Sequence, residues 1–169
     1  MPTKSRALPP IEELRSAFRY DKESGAIYPI RLRTTRKSSD VRCDPVRKIG
    51  YRVVCLGERL LYAHRLAWCL AYGSEPNGYV DHINGDRADN RLVNLRIGTH
   101  PQNMCNRRVA THSKSGIRGL HQRENGKWRA YCGFRGKRFN IGTFASQEEA
   151  IVALRAARHI HHGIFARDD

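Results

Sequence analysis

Apolar positions along this chain come in short stripes, separated by polar and glycine-containing breaks. A loose leader ends at Pro9-Pro10. Ile11, Leu14, Ala17 and Phe18 then recur at i, i+3, i+6 and i+7, which predicts a short helix over residues 11–20. Ser24-Gly25 marks a turn, with residues 26–28 extended after it. Residues 31–48 are basic, hold Ser38-Ser39 and read as an exposed loop. Residues 50–56 and 59–62, on either side of Gly57-Glu58, predict a hairpin of two strands. Residues 64–72 predict a short apolar helix carrying Leu66, Ala67, Trp68, Leu70 and Ala71, with Gly73 placed to cap its end.

The polar centre follows. Residues 79–83 predict a short strand, and Asn84-Gly85-Asp86 a turn suited to positive φ. Residues 89–95 predict a compact turn whose apolar side chains face back onto that strand, and residues 96–98 extend again. Thr99 can cap a helix that starts near Pro101, since proline is tolerated in a first turn, and runs to Asn106. Residues 107–116 lack periodicity, which places a domain boundary there. Beyond it, residues 117–122, 127–134 and 137–144 predict three strands joined at Asn125-Gly126 and Arg135-Gly136. Ser146 and Glu149 form a capping box for a helix with Ala150, Ala153, Leu154, Ala157 and Ile160 on one face. The fold class expected is α+β, ending in a three-stranded antiparallel sheet packed on one helix.

Charge adds a partner. Lys and Arg total 31 against 16 Asp and Glu, a formal charge of +15 on 169 residues. Residues 1–60 carry 14 basic and 7 acidic side chains, residues 61–105 carry 4 and 4, and residues 106–167 carry 13 and 3. Two basic arms flank a neutral centre, the layout of a protein whose ends hold a polyanion. The five cysteines, Cys43, Cys55, Cys69, Cys105 and Cys132, include no CxxC pair. That disfavours a disulfide framework and a cysteine-ligated zinc. No apolar run reaches the roughly 20 residues of a membrane span, and the first residues lack the apolar segment of a secretion signal. An intracellular protein is expected.

The candidate chemistry lies in the neutral centre: Asp81, His82, Asn94 and Asn103. A carboxylate and an amide oxygen are hard ligands suited to Mg²⁺ or Mn²⁺, with water and substrate phosphate completing the shell. A neutral imidazole beside them can take a proton from an attacking water. Spacing alone leaves this open, because Asp-His pairs also arise by chance. His64 fits packing or a phosphate contact better than metal ligation, His100 fits a helix start equally well, and Asn90 fits a loop-fixing bond to local backbone.

Residues 80–86 (Val-Asp-His-Ile-Asn-Gly-Asp), 89–96 (Asp-Asn-Arg-Leu-Val-Asn-Leu-Arg) and 101–103 (Pro-Gln-Asn) resemble, in order, the HNH motif of phage and intron-encoded homing endonucleases. The preceding Ala-His-Arg-Leu-Ala-Trp at 63–68 is typical of the same group. The resemblance implies a ββα-metal core over residues 61–110 with one divalent ion, Mg²⁺ or Mn²⁺. Asp81 and Asn103 match its metal ligands and His82 its general base. Asn94 matches the motif's middle Asn, which holds the loop and the base. Many relatives carry His where Asn103 stands. Some add a zinc ribbon, for which this chain lacks the cysteine pairs.

A second resemblance covers residues 113–167. Residues 115–119 (Ser-Gly-Ile-Arg-Gly), 126–130 (Gly-Lys-Trp-Arg-Ala), 141–144 (Ile-Gly-Thr-Phe), 148–151 (Glu-Glu-Ala-Ile) and 163–166 (Gly-Ile-Phe-Ala) resemble the Apetala-type (ethylene-response-factor) domain. Members of that family read DNA through the sheet. On alternation, Trp128, Ala130, Cys132 and Phe134 face the helix and Arg129, Tyr131 and Arg135 face away. With Arg118, Arg123, Lys137, Arg138 and Asn140 they form the expected DNA-binding set, since Arg suits guanine and Asn suits adenine in the major groove. The plant pattern's tryptophans near Asn125 and Asn140 are missing, so base preference does not carry over.

The expectation is therefore a phage-type, metal-dependent endonuclease acting on double-stranded DNA, as a monomer or homodimer, in the cytoplasm of a bacterial host. A basic region at 1–60 precedes the nuclease core. The rival is a regulator that binds DNA and keeps the nuclease scaffold as structure. An RNA-binding protein would need an aromatic pair for base stacking, which this sheet lacks.

Overall fold

The computed structural model describes residues 7–30, 42–105 and 115–166. The start of the leader, most of the loop predicted at 31–48 and most of the predicted boundary segment at 107–116 lie outside them. The chain divides into two compact units, Met1–Ile97 and Gly98–Asp169. It is a mixed α/β chain of small antiparallel sheets.

In the first unit, α1 (Ile11–Ala17) runs directly into β1 (Phe18–Asp21), which pairs with β2 (Ala26–Pro29). The helix predicted to Tyr20 therefore stops three residues early. Phe18 is extended, at φ −135° and ψ 143°, and remains buried. The aromatic Phe18 and Tyr20 suit a strand, and pairing with β2 satisfies backbone groups that another helical turn would have used. The predicted hairpin is β3 (Val53–Leu56) against β4 (Arg59–Tyr62), leading into α2 (Ala63–Tyr72). Gly73 ends α2 in the left-handed conformation, φ 76°, and its amide bonds to Cys69 O.

Helix α2 serves two cores. Ala63, Leu66 and Cys69 join Leu14, Phe18, Ile27, Val54 and Leu61 in the larger one. Ala67 packs instead with Val80 and Leu95, from β5 (Tyr79–His82) and β6 (Leu95–Gly98). Leu95 does face back onto β5 as expected, but Val93 is 81% exposed. A 3-10 turn over Leu92–Asn94 rotates it outward. Within the loop predicted at 31–48, Asp44 is fully buried, because the Arg42 guanidinium covers its carboxylate and Arg52 donates to its carbonyl at 2.9 Å.

In the second unit, α3 (His100–Cys105) starts one residue before the expected Pro101. Gln102 Oε1 accepts from both the amide and the hydroxyl of Thr99, at 2.7 and 2.8 Å. The sheet order is β7 (Leu120–Gln122), β8 (Trp128–Phe134), β9 (Lys137–Phe144), all antiparallel. The first strand is shorter than predicted, because residues 117–119 form a turn. There, Gly119 has φ 83° and lies so close to Tyr131 that a Cβ would meet its carbonyl oxygen. Helix α4 (Gln147–His162) is capped as expected, with Ser146 Oγ accepting from Glu149 N at 3.1 Å. Ala150 and Leu154 pack on Leu120, Ala130 and Cys132. The predicted stripe fails at its end: Ile160 is 80% exposed and Arg158 is buried in its stead, donating to Arg118 O.

Candidate active site

Strand β5 brings Asp81 and His82 to its end, both buried. Asp81 Oδ2 accepts from Arg96 Nε and Nη2, at 3.0 and 2.9 Å. Arg96 comes from β6, the strand paired with β5, and is itself largely buried. His82 points elsewhere, and its Nε2 lies 3.0 Å from Asn90 Oδ1. An amide oxygen only accepts, so in this arrangement Nε2 carries the hydrogen and Nδ1 is the basic nitrogen. Burial pushes the His82 pKa below its ordinary value, against opposing contributions from Asn90, Asp81, Asp86 and Asp89. The ring is thus neutral at neutral pH.

The loop between β5 and β6 is held by its own polar side chains. Asn94 Oδ1 accepts from Asn84 N at 2.9 Å, while Asn94 Nδ2 donates to Asp89 O at 2.8 Å. Asn84 Oδ1 accepts from Asp86 N, and Asp86 Oδ1 from Ala88 N. Asp89 receives both Arg91 Nε and Nη2, and that contact holds its pKa down to about 2. Asn90 is 1% exposed. Tyr20 Oη donates to its carbonyl at 2.8 Å from β1. Burial pushes the Tyr20 hydroxyl up to about 12, so it stays a donor. Gly25, φ 68°, sits against the same stretch, where a Cβ would lie 2.5 Å from Arg91 N.

A wall of rings stands behind His82. The His64 ring, from the first turn of α2, meets it edge to face at a centroid distance of 5.2 Å, with Tyr51 5.2 Å and Tyr62 5.5 Å from His64. Burial, reinforced by His82 and Arg65, lowers the His64 pKa to about 3. Its Nδ1 has no hydrogen-bond partner among the described residues. Of the two roles open to His64, packing is the one its burial supports.

Asn103 lies on α3, in the second unit, with its amide bonded to Thr99 O at 3.0 Å. On the sheet of that unit, the register sets Arg129, Tyr131, Arg138 and Asn140 on the face away from α4. Arg138 stacks on the Tyr131 ring at 3.4 Å, and Arg129 Nε bonds to Asn140 Oδ1 at 3.3 Å. The other expected residues lie off this face. Arg118 donates to Met104 O on α3 at 2.9 Å, and Arg123 and Arg135 sit in turns. Lys137, paired with Phe134, falls in the opposite phase at the hairpin end. Sequence reasoning missed three contacts. Tyr20 carried no sequence signal for reaching Asn90. The β5–β6 pairing could have suggested Arg96 as a partner for Asp81. His121, directly opposite Arg129 and bonded through Nε2 to Tyr131 Oη at 2.8 Å, could have been found by alternation.

Residues 61–105 match the family model described as HNH endonuclease. The chain is also 33% identical over 108 residues to protein 3.8 of Escherichia phage T7, an alignment covering 62% of this chain and 87% of that protein. This chain belongs to one family with that phage protein and carries an HNH endonuclease domain. Every buried polar residue of the β5–β6 region, Asp81, His82, Asn90 and Asn94, falls inside the HNH domain, whereas Tyr20, which pins Asn90, lies outside it. No helix among the described residues is long and apolar enough to cross a membrane.

Proposed function

We propose that this HNH protein is a metal-dependent DNA endonuclease that hydrolyses phosphodiester bonds, with His82 as the general base. The observation that carries this reading is the buried His82, whose Nε2 lies 3.0 Å from Asn90 Oδ1 and whose pKa burial lowers. A base oriented by a second group is what proton abstraction from water needs. Asn94 keeps the loop closed around it. The order β5, β6, α3 is that of a ββα-metal core.

By the motif and by donor chemistry, the ion would be a hard divalent one, Mg²⁺ or Mn²⁺. Asp81 and Asn103 offer a carboxylate and an amide oxygen. Water and substrate phosphate would complete the shell. The ion would supply charge stabilisation at the scissile phosphate. Arg96 holds the Asp81 carboxylate in place and keeps that buried charge compensated.

The outer face of β7–β8–β9 is the proposed reader of double-stranded DNA, as in an Apetala-type domain. Arg129, Arg138 and Asn140 share one exposed face with Tyr131, and a stacked guanidinium presents its N–H edge outward. The pairing of Asp81 with Arg96 favours a second reading, a regulator that binds DNA without cutting it. Supercoiled plasmid incubated with Mg²⁺ or Mn²⁺, with and without chelator, separates the two. Chelator-sensitive nicking or linearisation that is lost in His82→Ala supports the nuclease. Binding without cleavage of DNA carrying the protein's own target supports the regulator.

A further inference from the structure

An open groove of about 490 Å³ lies in the first unit, and none of the rings around His82 lines it. Arg15 from α1, Arg19 from β1 and Lys22 from the turn after β1 line it, together with Leu70 of α2 and Leu92. Neither the Arg15 nor the Lys22 side chain makes a hydrogen bond or ion pair with another described residue. The Arg19 guanidinium lies over the Tyr28 ring at 4.5 Å. The acidic side chain lining the groove, Asp21, is engaged by its own turn: it accepts from Glu23 N at 3.0 Å and from Ser24 Oγ at 2.6 Å. Those bonds hold its pKa below the usual carboxylate value. Cations thus line an amphipathic groove, and the chemistry they fit is a string of phosphates.

We infer that this groove holds the phosphodiester backbone of duplex DNA beside the cut site. The inference rests on the nuclease reading for its position. Leu70 and Leu92 belong to the HNH domain, so the groove is walled partly by the domain that would carry the substrate. Tyr20 also lines it, and Tyr20 Oη bonds to Asn90 O, the backbone of the residue that orients His82. The strand that meets phosphate through Arg19 therefore also buttresses the base. Free polyanions of other kinds would meet the same cations, but DNA is the polyanion that an HNH endonuclease brings to this wall.

The test uses the full chain and a labelled DNA duplex in chelator, with binding followed by anisotropy across a salt series. Each phosphate that the protein no longer neutralises lowers the slope of log K against log salt by about 0.9. Arg15→Gln with Lys22→Gln should therefore flatten the slope by about 2, and Lys22→Gln alone by about 1. Arg15→Lys should keep the wild-type slope. If the double variant misfolds, the single Lys22→Gln variant on the exposed turn still decides the matter. An unchanged slope in folded Lys22→Gln overturns the groove, and so does a change seen on duplex RNA but not on DNA. The nuclease reading fails separately: flattened slopes in the variants, beside a wild type that binds DNA and never cleaves it, leave the phosphate groove standing and remove only its place beside a cut site.

Discussion

The loop between β5 and β6 and the outer face of the second unit's sheet are both polar, yet they treat their polar groups in opposite ways. In the loop, Asn84, Asp86, Asp89 and Asn94 are bonded to each other or to neighbouring backbone, Asn90 Oδ1 meets His82 Nε2 while its Nδ2 has no partner among the described residues, and Asn90 and Asn94 are buried. On the sheet, Arg138 has a ring to lie on but makes no hydrogen bond among the described residues, and Arg129 has one long bond to Asn140. Most buried polar groups are satisfied internally because water cannot reach them. Exposed ones can wait for a ligand. The difference separates a region built to hold one group still from a region whose donors remain open to a partner.

His82→Ala should break the comparison most sharply. A positioned acid or base contributes about 10²- to 10⁴-fold, so cleavage rates should fall by that much while duplex binding in chelator persists. Equal loss of both would mean that the loop serves binding. Asn90→Ala comes next. Removing an orienting partner costs about 10- to 100-fold in activity, together with about 1–3 kcal/mol of stability from the vacated buried bond. Single-turnover rates and thermal melts read the two separately. A variant that melts earlier but cuts at the wild-type rate would confine Asn90 to structure.

Arg138→Ala tests the other side. It should weaken duplex binding by about 1–3 kcal/mol and leave the melting temperature unmoved, since the side chain is exposed. Competition between duplexes of different sequence would show whether it reads bases or only phosphate. The smallest effect is pH-dependent stability. Because burial depresses His64 to about 3 from 6.5, the unfolded chain binds the extra proton between those values. Stability from this group is complete above pH 6.5 and falls as pH drops, by about 1.4 kcal/mol per pH unit. His64→Phe should flatten the melting curve against pH over that window; an unchanged curve would place the acid sensitivity elsewhere.

Local pattern made much of this molecule legible. The Gly57-Glu58 turn marked β3–β4, alternation and its glycine turns marked β8–β9, the apolar run and Gly73 marked α2, and Ser146 with Glu149 marked the start of α4. Asp81, His82 and Asn94 could be singled out because the motif sets them at recognisable spacing. What failed was decided by long-range packing. Phe18 is apolar in either a helix or a strand, and only pairing with β2 chose. Ile160 continued the stripe of α4 in sequence, but the last turns of the helix set Arg158, His161 and His162 against the second unit's sheet and its first turn, so Arg158 was buried and Ile160 was not. Asp44 looked like a loop residue because its partners, Arg42 and Arg52, had no pattern linking them to it. Asn90 read as a loop-fixing turn residue, since neither Tyr20 nor the His82 ring is visible in local spacing.

The double duty of α2 bears on how the nuclease segment could be moved between proteins. Residues 61–105 look like a portable cassette by motif alone. Yet Leu66 and Cys69 are covered by side chains from Leu14 to Val54, and Asn90 is propped by Tyr20. Cut out at Leu61, the cassette would expose half of its central helix to water and leave the β5–β6 loop unbraced. A transplant that keeps everything from Ile11 onward would carry its own foundation, so the smallest transferable HNH unit in this protein begins well upstream of the motif that names it.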